Sequence, residues 1–558
     1  MALRRFWSSA ILAVAVMMTP VPAAAATGHD ALVDLFEEWR AFERPTIEDG
    51  VPDYGAAAMQ RKAVGLAEFR KRLEAIDPAD WQPADAVDYR IVEAEMNGLD
   101  FDLRVLRPWA RDPTFYVSVW PNRTDVPSRE GTVSYPEIEL YKYRFPLSKA
   151  DQAELMRLLA AIPAFLAQGR VNLKDSNARD LWVYGVQSLR NQARALARFE
   201  EGTLTVSTLE GEWRADLTGA NPELRAAVSE AREATEAFVQ WLEAEAPSKT
   251  GPSGVGEENY TWYLKNVHLV PYSWTEEVAL LRRELERAHA SLRLEEHNNR
   301  DLPPLLPVDD PAALDRLARE RLDKFVSFLV EDGIIPDKPY LKQALVPQTV
   351  TFVPPERRQF FAHVTHREPM LLYAHDYHWI DLARMRDEPH ANPIRRAALL
   401  SNIWDSRAEG FATGFEELVM HAGLYDDNPR ARELVWIMLA NRAARGLASL
   451  YVQANLWTLE EAGEFQAEWT PRGWAGATDE LTAFEQLLYL RQPGYGTSYI
   501  SGKLLFDRLL TRYAHAQDKA GKPFSLSELM GRFNDAGMIP TTLIEQELVP
   551  NSTPAPGE

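Results

Sequence analysis

Five of the 11 histidines of this 558-residue chain, His363, His366, His375, His378 and His390, fall within a window of 28 residues. Imidazole nitrogens and carboxylates are the usual protein ligands of zinc, and a hydrolytic site needs three of them plus a carboxylate that takes a proton from water. His363 and His366 lie three apart, as do His375 and His378, and on a helix that spacing sets both rings on one face. Glu409 and Glu416 are seven apart, two helical turns, so both carboxylates can point the same way from a neighbouring helix. His375, His378 and Glu409 would then form a two-histidine, one-carboxylate metal site with Asp376 or Glu416 as base, and Tyr499 would donate to a developing oxyanion. The plainer alternative keeps His375 and His378 as partly buried, hydrogen-bonded residues. In that alternative Glu409 and Glu416 are inward acids paired with Arg442 or Arg445. Arg445 and Tyr495 are the candidates for contacts to a bound peptide or small ligand. Three aromatic clusters, Trp457, Trp469 with Trp474, and Tyr489 with Tyr495 and Tyr499, either line a groove for an extended peptide or pack in the core.

The elements that must position these residues are helices. Val278, Leu281, Leu285, Ala288 and Leu292 recur three or four apart behind the Ser273/Glu276 capping box, and Thr458 with Glu461 caps another helix. Similar periodicity predicts helices over 57–76, 150–167, 180–199, 222–244, 312–329, 408–422 and 430–456. Strand-like alternation is scarce: 346–353, with 115–119, is the expected short hairpin. The fold class is therefore all-α, a large helical fold with at most a small β-hairpin. The Pro/Gly/Ser-rich segment 247–256 separates an N-terminal half (27–246) from a C-terminal half (257–549), and 550–558 reads as a disordered tail.

Arg4 and Arg5, the apolar run 10–18 and the alanines 23–26 have the layout of a secretory signal peptide over 1–26. The apolar run is too short to span a bilayer, for which about 20 residues are needed, so a periplasmic or secreted protein, with no membrane insertion after leader removal, is expected. The chain has no cysteine, hence no disulfide, no thiol nucleophile and no lipid-modified cysteine after the leader. Without the leader, 59 Lys and Arg face 82 Asp and Glu, interleaved along the helices, which argues against nucleic acid as a partner. No Gly-x-Ser-x-Gly elbow and no phosphate-cradling glycine loop is present.

From about Tyr260 onward the sequence resembles the bacterial family known as domain of unknown function 885, exported helical proteins that the resemblance presents as zinc peptidases. The residues that carry the likeness are Glu409-Gly410-Phe411-Ala412-Thr413-Gly414-Phe415-Glu416, then Gly423-Leu424-Tyr425 and Pro429. They continue with Arg442-Ala443-Ala444-Arg445, Trp457-Thr458, and Pro493-Gly494 with Ser498-Tyr499 and Gly502. The family's His-Glu pair and following Pro-Gly-His-His are missing, and the equivalent window is His375-Asp376-Tyr377-His378-Trp379-Ile380-Asp381-Leu382. Ser449, Gln453, Leu488, Tyr495 and Leu529-Met530 stand where the family has other polar residues. Such losses remove groups that orient ligands or stabilise an oxyanion, each worth about 10- to 1000-fold. One expectation is thus a peptidase-family homologue without the zinc site, binding a peptide or small ligand in an inherited central cleft. The alternative is a metal-dependent hydrolase with a remodelled His/Glu site. The expected cofactor is accordingly none or a single zinc ion.

Overall fold

The computed structural model describes residues 28–550. The expected leader, and all of the expected tail but Pro550, lie outside the described residues. The protein is mainly α-helical. The two capping boxes form as their spacing predicts, at the starts of the Trp274–Asn298 and Leu459–Trp469 helices. The periodic segment 150–167 is two helices, Lys149–Ala160 and Ile162–Asn172. Pro163, at the start of the second, has no N–H to give and its ring excludes a continuous turn.

The hairpin expected at 346–353 does not form. Val346–Gln348 is a 3-10 turn, Pro347 cannot donate to a ladder, and the Val353 N–H goes to His366 Nε2 at 2.9 Å. Phe115 likewise sits in a 3-10 turn, Pro113–Tyr116, capped by Asp112. The longest strand pair is the antiparallel hairpin Leu204–Thr208 with Gly211–Ala215, in which Val206 faces Trp213. Two minimal pairs, Ile47–Glu48 with Val51–Pro52, antiparallel, and Val119–Trp120 with Ile138–Glu139, parallel, and an isolated parallel bridge between Ala178 and Gly251 complete the β-structure of the described residues. Among the described residues no helix is long and apolar enough to cross a membrane.

One core runs from Leu32 on the His29–Glu43 helix through Phe101 and on through the C-terminal helices to Val549. A second fills the region from Phe115 to Ala246. Within the first, the Pro429–Gln453 helix is buried on every side from Glu433 to Leu450, so it carries no polar face. The Asp405–His421 and Tyr495–Lys519 helices cross in direct backbone contact at Gly410 and Gly502, where a Cβ on Gly410 would stand 2.3 Å from the Gly502 Cα. A second close approach lies at Gly446, where a Cβ would stand 2.5 Å from the Gly496 carbonyl oxygen. These contacts draw three helices together at the level of Glu409, Arg445 and Tyr495.

Gly410→Ala and Gly502→Ala are expected to lower stability by at least about 1–3 kcal/mol, because backbone rather than a flexible side chain must give way. Gly531→Ala, on the Leu526–Asp535 helix with nothing within 4 Å of the added carbon, should stabilise by about 0.5–1 kcal/mol. Chemical denaturation of the three variants checks both signs.

Candidate functional site

His375 is the last residue of the Met370–His375 helix and His378 lies in the first turn of the Tyr377–Asp387 helix, with Asp376 at the junction. The pair therefore does not share one continuous helix, yet the rings meet edge to face with centroids 4.9 Å apart. Asp381, one turn beyond His378, accepts from Arg384 at 2.7 Å and from Arg407 at 3.1 and 3.2 Å. Arg407 and Asp381 are both almost fully buried. This ion pair sets the His378 helix against the Asp405–His421 helix, two residues before Glu409.

Glu409 and Glu416 flank the His375 imidazole. Glu409 Oε2 is 3.7 Å from Nε2 and Glu416 Oε1 is 3.2 Å from Nδ1. Glu409 also lies 3.2 Å from His378 Nε2 and accepts a short hydrogen bond from the Tyr495 hydroxyl. The ligand atoms of His375, His378 and Glu409 all lie within 4.8 Å of one another. Glu416 is held bidentately by Arg442 at 2.6 and 2.7 Å, and Arg442 Nη2 also reaches His375 Nδ1 at 3.1 Å. Arg445 pairs with Glu485, and its guanidinium lies 4.4 Å over the Tyr499 ring. Tyr499 also stacks near His375.

The electrostatics separate the two histidines. Burial, then the Arg442 charge, holds His375 well below the ordinary imidazole range. Burial acts the same way on His378, but the charge and hydrogen bond of Glu409 outweigh it and push its pKa up to about 9. Burial would raise Glu409, yet the His378 charge and hydrogen bond bring it down to about 2. Asp376 is raised well above the usual carboxylate range by burial and then by the Asp125 charge, and its buried Oδ2 has no hydrogen-bond partner. Burial and the neighbouring acids keep the Tyr495 and Tyr499 hydroxyls protonated.

The other histidines of the window lie elsewhere. His363 stacks on Trp474, His366 accepts from Val353, and His390 Nδ1 accepts from the Asn392 N–H. Trp457 stacks on Tyr451, whereas Tyr489, Tyr495 and Tyr499 surround the Glu409 region. A second convergent group, His29, Asp85 and Asp88, carries its own cation: Arg395 Nε donates to Asp88 at 2.7 Å. Asp125, whose charge raises His378 and Asp376, and Glu130, whose charge raises Tyr495, come from the segment between Trp120 and Ile138 and were not among the residues singled out from the sequence. That segment has no periodicity, and only the chain's return across the C-terminal helices brings it there.

A model of the family described as bacterial protein of unknown function, DUF885, matches residues 40–303. Over those residues the chain matches this family. The matched region holds Asp125 and Glu130, and the Glu409–Glu416 motif lies beyond it. No curated protein matches the chain. Two solved structures share the fold: one from Shewanella oneidensis (14% identity, TM-score 0.61) and one from Colwellia psychrerythraea (13%, TM-score 0.63). Each covers 93% of this chain and 98% of its own, and both are described as a "putative lipoprotein", the first "of unknown function". At that identity the likeness is of fold alone.

In the metal-free protein the folded-state pKa of His378 lies above its ordinary 6.5. The pair with Glu409 therefore stabilises the fold fully only between about pH 4.5 and 6.5, and loses that contribution as the pH rises through about 9 or falls through about 2. Glu409→Gln should lower the His378 pKa from about 9, because burial is then opposed only by the Asp125 and Asp381 charges. NMR titration of the imidazole resonances checks this: a His378 still titrating near 9 in the variant would show that Glu409 is not the cause.

Proposed function

We propose that this protein is an exported, metal-dependent hydrolase of peptide or related amide bonds, with one zinc ion held by His375, His378 and Glu409. The observation that carries this reading is the convergence of those three ligand atoms within 4.8 Å, with His378 and Glu409 buried and His375 partly open to solvent. Two imidazoles and one carboxylate are the donor set of a hydrolytic zinc site. Zinc bound there supplies a Lewis acid that polarises a carbonyl and acidifies a bound water.

The chain's own residues fit the remaining tasks. His375 is kept neutral, as a ligand must be. Glu416, fixed by Arg442, lies 3.2 Å from His375 Nδ1 and, with Arg442, orients the ring so that Nε2 is turned toward Glu409. Tyr495 fixes the Glu409 carboxylate. Asp376 has an unpartnered carboxylate oxygen beside the cluster and takes the role of proton acceptor, whereas Glu416 is committed to Arg442. Tyr499, protonated and held against Arg445, is the donor to a developing oxyanion. The leader-like N-terminus supports export.

A second reading, a metal-free homologue that binds a peptide or small ligand, is favoured by one observation. His378 already pairs with Glu409 and His375 already meets Arg442, so the cluster satisfies itself.

Mass-spectrometric metal analysis of the purified protein after zinc supplementation decides between them. About one zinc per chain, lost in His375→Ala/His378→Ala, is expected. No bound metal would sink the hydrolase reading in favour of the second. Tyr495→Phe should weaken zinc by about 10- to 100-fold in competition with a chromogenic chelator while leaving the fold intact.

A further inference from the structure

His378, Glu409 and Asp376 are buried, and the His375 side chain is only 15% exposed. A peptide cannot enter so closed a position, so hydrolysis there requires an element that moves aside. Residues 121–137 have the build of one. They form no helix or strand, over a length at which loops in compact proteins are usually functional or disordered. The two ends of the loop meet, because Val119–Trp120 pairs with Ile138–Glu139. It is also held together from within. Thr124 Oγ1 donates to Glu130 at 3.0 Å, and Arg129 reaches the Asn122 carbonyl and lies 3.6 Å from Glu137.

The loop rests on the two segments that lead into the cluster. Ser128 Oγ donates to Asn402 at 2.9 Å and receives Trp404 Nε1 at 3.2 Å. Asn402 Nδ2 donates to the Arg129 carbonyl at 2.9 Å, the Gly131 N–H donates to Gln492 Oε1 at 2.5 Å, and Arg491 Nη2 donates to the Thr132 carbonyl at 2.6 Å. Trp404 stands just before the Glu409 helix, and Gln492 just before the Tyr495 helix. Consistent with that placement, the charge of Asp125 on the loop reaches His378.

Val126, 1% exposed, packs in the same core as Phe411, Tyr495 and Tyr499, and it and Ser134 are the only buried residues of the loop. The attachment is therefore mostly polar. Such bonds exchange for water at little net cost, so the loop can open while the rest of the fold stays intact. Beside residues 128–137 lies a cavity of about 350 Å³, walled on its other sides by Arg40, Tyr54 and Leu400 among others, which leaves this half of the loop room to move.

We propose that residues 121–137 are a lid over the His375/His378/Glu409 cluster, hinged where Val119–Trp120 pairs with Ile138–Glu139, latched through Asn402 and Gln492, and lifted to admit substrate. The proposal rests on reading that cluster as the reacting centre.

The chain has no cysteine, so Glu409→Cys places a single thiol under the lid, and His375→Cys gives a second, independent reporter. The test is the rate at which a methanethiosulfonate labels each thiol in chelator-treated protein, followed by intact-mass spectrometry. Val126→Ala, which removes the one apolar anchor, is expected to speed labelling about tenfold with the circular dichroism unchanged. Ser128→Ala should speed it about threefold or more by unlatching Asn402 and Trp404. Val228→Ala makes the same truncation on the Pro222–Glu245 helix of the second core, and should leave the rate within about twofold. Labelling unchanged by Val126→Ala and Ser128→Ala, or raised as much by Val228→Ala, overturns the lid. All rates are taken without metal, so absence of zinc from the wild type overturns the metal reading and not this one.

Discussion

The site depends on two helices being able to touch backbone to backbone. At Gly410 and Gly502 there is no room for even one added carbon, and Glu409 precedes the first of these glycines directly. Any larger residue would part the Asp405–His421 and Tyr495–Lys519 helices, and with them the Tyr495 hydroxyl from the Glu409 carboxylate. The second contact, Gly446 against Gly496, brings the Pro429–Gln453 helix to the same level. Small residues at a crossing thus convert helix packing into placement of reactive side chains.

Bringing the Pro429–Gln453 helix into the middle of the fold obliges its polar residues to find partners there. Arg442 and Arg445 are almost fully buried, and an unpaired guanidinium at that depth is strongly destabilising. Glu416 and Glu485 supply the countercharges. The same pairs orient their neighbours, since Glu416 lies against His375 and Arg445 lies over Tyr499. Arg407 with Asp381 plays the corresponding part between the helices of Glu409 and His378. Stability and placement are here consequences of the same ion pairs.

The arginines and their glutamates balance each other beside His375. Asp125 and Glu130 act on the cluster by charge from a segment pinned through Asn402 and Gln492, and for Asp125 the His378 imidazolium is the countercharge.

Helix content, both capping boxes and most helix limits were legible in the sequence, because a 3.6-residue apolar repeat and a side-chain cap are local properties. Pro163 and Pro347 were legible as well, and weighing their missing N–H groups would have split one expected helix and removed the expected hairpin. The spacing of Glu409 and Glu416 placed two acids on one helical face for the same local reason. That both acids flank a single imidazole, that Arg442 takes Glu416, and that Asp125 reaches His378 across more than 250 residues of chain followed from the tertiary structure alone. The sequence by itself determined which segments coil and which face of each is apolar. Only close packing, with glycines that let backbones meet and buried charges that must be paired, decided which distant side chains share a site.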